Sequence, residues 1–287
     1  WWFLARETGR RSAGLPTMVD VGLLRLPTLR YGLVAATIVA FGEFGLMFTL
    51  PLLLQGTLGY SALGAGWLLA SLAVGAFLVS GATHALTQRL GQRTVVRIGL
   101  ALETVAVLGL GLMLSLSITA TTIALWLFVY GLGVGMATAQ LSSVILSEVP
   151  PRQGGQASGL QSTLRQLGSA LGIAVLGTLL VTSLGTGVED RLAQTSLPAA
   201  VRAQVVEVVR GSAGAAIPAL DANPATAAAA AEARAAMVEA SRHTALFASG
   251  ALALGLLATL ALPRPRRPED DPHAAASTGQ ATGATAA

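Results

Sequence analysis

Six stretches of the chain are almost wholly apolar, and what lies between them is polar, basic or broken by proline. A run of about 18 apolar residues or more is long enough to cross the ~30 Å hydrocarbon core of a bilayer as a helix. The pattern predicts spans at residues 31–55, about 66–86, about 98–118, about 122–146 and about 244–262. A fifth span begins near Ala157, with its strongly apolar part at 167–184. The predicted fold class is therefore an all-α polytopic membrane protein, a six-helix bundle. Residues 1–30 read as the end of a preceding helix and a linker, and 31–184 as five transmembrane helices. Residues 185–242, rich in Ala and interrupted by Pro198, Pro218 and Pro224, read as a long loop with short helices at the membrane surface. The last helix follows at 243–262, and residues 263–287 have the composition of a disordered tail.

Arginine placement orients these spans. Arg6, Arg10, Arg11, Arg25 and Arg30 precede the first, Arg89, Arg93 and Arg97 lie between the second and third, and Arg152 follows the fourth. Arg264, Arg266 and Arg267 follow the sixth, while the short connections on the opposite side hold no arginine. Positive charge marks the cytoplasmic side of short loops, and loops as long as 185–242 escape that rule. Both ends of the segment are expected in the cytoplasm, the long loop outside, and the whole in a bacterial inner membrane.

Composition agrees with the pattern. Only 11% of residues are charged and 53% are hydrophobic, against about 25% charged in soluble domains. In such a chain the net charge of +4 carries no message about nucleic acid. All 18 basic residues are arginine, which with abundant Ala and Gly hints at a GC-rich bacterial genome. The absence of cysteine removes disulfides and thiolate metal sites. The opening Trp1-Trp2-Phe3-Leu4 resembles the interfacial end of a helix, so the chain is expected to be the C-terminal part of something longer.

The charged residues inside the spans are few. Glu43 lies about twelve residues into the first, roughly 18 Å deep. An acid placed there costs at least ~2.5 kcal/mol, and membrane proteins that carry one generally use it. Gly42 and Gly45 beside it thin the helix and are expected to admit water or a ligand. Glu103 stands about six residues past Arg97, close enough to reach the interface or a basic neighbour. Arg165, among Gln161, Ser162 and Gln166, either snorkels to the cytoplasmic interface or lines a water-filled cavity. Gly168 and Gly172, one turn apart, and Gly131 and Gly135, in the spacing G-x-x-x-G, mark faces for close helix packing. The run YGLGVG around Gly131 lacks the third glycine position and the acidic residue of a dinucleotide turn. GQASG (155–159) places its serine one position late for a nucleophile elbow, and His84, His243 and His273 are scattered, so no enzyme, metal site or cofactor is expected.

Two longer motifs point to a family. LPLLLQGTLGYSALGAG (50–66) is similar, through Pro51, Gln55, Gly59, Tyr60, Ser61, Ala65 and Gly66, to a stretch of the major facilitator superfamily, in its fourteen-helix drug:proton antiporter branch. GLQSTLRQLGSALGIAVLGT resembles that branch's run around a helix-embedded R-Q-x-G, here Arg165, Gln166 and Gly168. HALTQRLGQR (84–93) looks like a degenerate copy of the superfamily's cytoplasmic loop motif: Leu86, Arg89, Gly91 and Arg93 match, while His84, Gln88 and Gln92 depart. The likeness covers nearly the whole chain. It implies the last six of fourteen helices, with the N-terminal half of the same protein as partner in an alternating-access cavity. It further implies a small lipophilic or cationic substrate exchanged for protons, with Glu43 as the first candidate for coupling, Glu103 the second, and Arg165, Gln55, Gln161 and Gln166 as cavity residues. The rival readings are a facilitator for a neutral or anionic metabolite, in which Arg165 binds an anion, and a membrane scaffold or sensor that moves nothing.

Overall fold

The structure is a computed structural model and describes Arg6 and residues 21–260. The expectations for Trp1–Leu4, for Arg10, Arg11, Arg264, Arg266 and Arg267, and for the tail lie outside the described residues.

Among the described residues 21–260, eight α-helices follow one another. Helix α1 is Pro27–Gly56, opened by a proline whose missing N–H costs nothing in the first turn. Helix α2, Ala62–Leu90, is capped by Ser61, whose Oγ accepts from the Gly64 N–H at 3.1 Å. A single residue, Gly91 with φ +80°, joins it to α3, Gln92–Met113. Thr119 caps α4, Ala120–Leu146, by accepting from the Thr122 N–H at 3.2 Å. Helix α5 is Gly154–Ala193, α6 Ala199–Gly211, α7 Ile217–Asp221 and α8 Ala227–Leu260. Six of the eight, α1 to α5 and α8, are long and apolar enough to cross a membrane.

The boundaries differ from the expected ones in two places. Helix α3 stops at Met113 rather than near 118, because the Ser115 carbonyl turns back to the Ile118 N–H and Thr119 starts the next helix. The second difference is larger. Helix α5 has 40 residues and α8 has 34, so both outrun the apolar stretch, by 185–193 in one and 227–243 in the other. The Ala-rich run AAAAAEARAAMVEASRH has strong intrinsic helix preference, which explains the early start of α8. Residues 185–242 are thus mostly a helical cap whose core is continuous with the near ends of the spans, through Leu53, Leu54, Leu110 and Ile123. Val188 and Leu192 of α5, Val205 and Val209 of α6, Ile217 of α7 and Ala233 and Met237 of α8 close on one another. Arg191 reaches Glu239 at 3.0 Å and Glu232 at 3.6 Å, and Arg234 reaches Asp221 at 2.8 Å.

Within the spans the helices pack as two triplets. Helices α1, α5 and α8 contact one another extensively, α4 packs on α2 and α3, and the main seam between the triplets is α3 on α8. Glycines set these crossings. Gly131 faces the Leu72 carbonyl and Gly135 the Ala76 carbonyl, both on α2, while Gly133 faces α3 at Gly99 and Glu103. Gly168 and Gly172 of α5 face the carbonyls of Thr37 and Phe41 on α1. Where a glycine lets two backbones touch, every neighbouring side chain gains dispersion contacts that bilayer lipid cannot match in geometry. The α1–α4 contact is narrow by comparison, and the cleft described next opens along it.

Candidate functional site in the spanning bundle

The α1–α5 crossing brings Glu43 and Arg165 together. Their side chains stand 3.8 Å apart (Nη2 to Oε2), with the carboxylate side chain 10% exposed and the arginine 41%. Glu43 is the seventeenth residue of a 30-residue helix, so the pair sits near the helix midpoint rather than at an interface. The guanidinium also lies over the Phe44 ring, 5.9 Å from its centroid. Arg165 therefore turns inward to an acid. At 3.8 Å the contact is an ion pair without a good hydrogen bond, and the second carboxylate oxygen of Glu43 has no partner.

The pair lines a narrow cleft between the two triplets. Val39 and Glu43 of α1, Thr138 and Ser142 of α4 and Gln161 and Arg165 of α5 form its walls. Its volume is about 20 Å³, room for about one water. Gln161 closes one end, donating to the Ser142 hydroxyl at 2.7 Å. The glycines beside Glu43 do not open the site to water, as the sequence suggested. Gly42 receives Leu252 and the Ala248 carbonyl of α8, and Gly45 receives Leu176 and the Gly172 carbonyl of α5. They admit neighbouring helices.

Glu103 behaves differently from its expectation as well. It reaches neither the interface nor Arg97, whose guanidinium donates to the Thr259 carbonyl at 3.1 Å. Its side chain is fully buried against Gly133, and neither carboxyl oxygen has a hydrogen-bond partner. It stands within electrostatic range of Glu43 and Arg165. Tyr130 of α4 completes the group: it is buried, its hydroxyl is unpartnered, and both acids act on it electrostatically. An orphaned polar group in a core costs about 1–3 kcal/mol. Tyr130 was missed from the sequence. The available signal was its position, one helical turn before Gly133 on the same face of α4.

The remaining candidates lie elsewhere. Gln166 is exposed and holds Ser169, whose hydroxyl donates to its backbone carbonyl at 2.9 Å. Gln55 is twelve residues further along α1 from Glu43, in a separate hollow with Tyr60, Ser61 and Pro218 of the cap. The structure therefore does not join Gln55 to the Arg165 group. In the degenerate loop motif Arg89 is exposed, Gly91 makes the one-residue turn, and Arg93 lies beside Glu148 at the end of α4. Glu148 also accepts from the Thr28 hydroxyl at 2.7 Å, so a carboxylate from the turn after α4 stands by the loop that lacks its own. A larger cavity of about 700 Å³ lies in the cap between α5 and α8, far from the buried acids, and Arg191 already holds two of its carboxylates.

Comparison with known proteins matches this architecture. The profile of the Major Facilitator Superfamily covers residues 5–188. The multidrug resistance protein Stp of Mycobacterium tuberculosis (strain CDC 1551 / Oshkosh) is 29% identical over 207 residues, covering 71% of this chain and 37% of that protein. The probable actinorhodin transporter of Streptomyces coelicolor is 29% identical over 189 residues, 64% of this chain and 32% of that one. The tetracenomycin C resistance and export protein of Streptomyces glaucescens is 26% identical over 192 residues, 67% and 35% respectively. The chain spans about a third of the length of these curated relatives. With a family profile matched over most of its length and six membrane-spanning helices, this chain belongs to the Major Facilitator Superfamily.

Proposed function

We propose that the chain is the C-terminal half of a proton-coupled exporter of lipophilic, often cationic, compounds, working by alternating access in the bacterial cell membrane. The named roles of its relatives, multidrug resistance, actinorhodin transport and tetracenomycin C resistance and export, support export of small molecules. The observation that carries the mechanism is the Glu43–Arg165 pair on the cleft between the helix triplets. Arg165 is the internal counter-ion of Glu43, held loosely enough that another positive species can take its place. A proton and a substrate cation are the two competitors. Because Glu43 accepts one or the other, movement of each is tied to release of the other, which is antiport. In this reading the arginine-rich connections face the cytoplasm and the helical cap faces outward.

A second reading rests on the exposure of Arg165. With 41% of its side chain exposed, Arg165 is open to an anion, as a facilitator for an anionic metabolite requires. Efflux measured in vesicles with an imposed pH gradient separates the two. In the full-length carrier, Glu43→Gln should keep its membrane abundance and lose proton-driven export of cations, because an amide neither releases a proton nor attracts a cation. Wild-type rates and pH dependence in that variant would remove Glu43 from the mechanism.

A further inference from the structure

We propose that Gln161 and Ser142 are the gate of a water route that runs from one end of the bundle to Glu43 and carries the exchanged proton. This rests on the reading of Glu43 as the exchange acid. Ser142 stands four residues before α4 ends at Leu146, and Gln161 seven residues after α5 starts at Gly154. Both therefore lie within about 6–11 Å of the end of the bundle that carries Arg30, Arg93 and Arg152. Glu43 lies 16 residues after Pro27, about 24 Å from the same end. Water entering there meets the Gln161–Ser142 bond first and the carboxylate after it.

The cleft between the two points is nearly shut. It has room for about one water, and the Gln161 amide spans it to the Ser142 hydroxyl at 2.7 Å. Among its lining residues only Glu43 and Arg165 are ionisable. Arginine stays protonated, so a proton brought in by water has one acceptor. Oε2 of Glu43 faces Arg165, while Oε1 is buried without a partner and is the oxygen free to accept. A hydronium gives its proton to Oε1 and leaves as water. The carboxylate becomes the neutral acid, and its attraction for Arg165 is lost.

The strengths of the neighbouring bonds decide what opens. At this same end the Thr28 hydroxyl of α1 donates to the Glu148 carboxylate beyond α4 at 2.7 Å. Arg97 of α3 donates to the Thr259 carbonyl of α8 at 3.1 Å. Both bonds tie one helix triplet to the other. Hydrogen bonds with an ionised partner are roughly twice as strong as neutral ones. The Gln161–Ser142 bond is neutral on both sides, so it yields first while the other two keep the triplets together. The next residue supplies a control. Ser143 accepts from Gln92 of α3 at 3.1 Å, within one triplet and away from the cleft lining.

The test uses the full-length carrier in proteoliposomes, free of other cysteines, with Thr138→Cys as a reporter in the cleft wall. One readout is the rate at which methanethiosulfonate ethylammonium labels the reporter. The other, without the reporter, is the decay of an imposed pH gradient with no substrate present. Ser142→Ala and Gln161→Leu each remove the bond. Each should speed labelling about fivefold, the change in open population that losing one neutral hydrogen bond brings, and raise the proton leak by a similar factor. Ser143→Ala should change neither. Adding Glu43→Gln to Gln161→Leu should stop the extra leak and leave labelling fast. Wild-type labelling in either gate variant at normal abundance overturns the gate. Equal acceleration in Ser143→Ala also overturns it, since that is a general loosening of α4. Fast labelling with no added leak overturns the proton route. A leak that persists in the double variant removes Glu43 as the acceptor, so the exchange-acid reading falls and takes the route with it. Fast labelling in that same variant marks this as a failure of the acid and not of the gate.

Discussion

Gly172 fixes how closely α5 approaches α1, and so replacing it by alanine tests what holds the charge cluster in place. Its missing side chain is aimed at the backbone of Phe41, and Gly45 answers from α1, where an added Cβ would lie 2.8 Å from the Gly172 carbonyl oxygen. A methyl group at 172 meets backbone atoms that cannot rotate away, so the helices must part by about 1 Å. Overpacking of this kind costs about 1–3 kcal/mol. The ion pair moves with the helices. At its present 3.8 Å, two unit charges in a medium of effective dielectric ~20 attract by about 4 kcal/mol. Widening the gap by about 1 Å removes roughly a fifth of that, and solvent around the 41% exposed Arg165 screens much of the remainder. Packing therefore dominates the loss. Thermal unfolding of the full-length carrier in detergent should show a lower midpoint for Gly172→Ala. Gly250→Ala on α8, where an added Cβ meets nothing within 4 Å, should stay within about 0.5 kcal/mol of wild type. Equal midpoints for the two variants would refute the claim that the α1–α5 contact is set by backbone approach.

Arg165→Ala should impair driven efflux at normal membrane abundance. Arg165→Lys should restore it only partly, because an ammonium cannot reproduce the planar fork that faces Glu43 and Phe44, and full rescue in efflux assays would favour a simple anchor. Gly91→Ala should destabilise by about 1–2 kcal/mol although nothing crowds the site, since the cost lies in its φ of +80°; an unchanged melting curve would contradict this. The cysteine-free chain allows topology to be read directly. An impermeant thiol reagent on intact cells should label Gln194→Cys in the cap and spare Gln88→Cys at the end of α2, and the opposite pattern would invert the orientation.

The spans were legible because hydrophobic run length is a strong signal, and α1, α2 and α4 fall within a few residues of their expected bounds. The sequence predicts a long loop with short helices at 185–242, and the short helices are there as α6 and α7. The long extensions of α5 and α8 escape it because their extra turns are gained by packing on α6 and α7. The acids and the arginine were visible as exceptions in apolar runs. Their pairing was not, since Glu43 and Arg165 are far apart in sequence and meet only where Gly45 and Gly172 bring two backbones together. Tyr130 escaped for a related reason: a lone tyrosine in a span looks like ordinary core until its hydroxyl is found without a partner.

The length of α5 has a mechanical consequence. From the Gly172 crossing to its end at Ala193 is 21 residues, about 32 Å of unbroken rod. With the crossing as fulcrum, a tilt of about 10° would sweep the far tip through some 5–6 Å while moving Arg165, about 10 Å on the other side, by less than 2 Å. The tip is fastened to α8 through Arg191, so the two long helices would swing as a single arm. A small adjustment at the buried charges is thereby magnified about threefold at the cap, and anything gripping the cap pushes back on those charges with the same leverage.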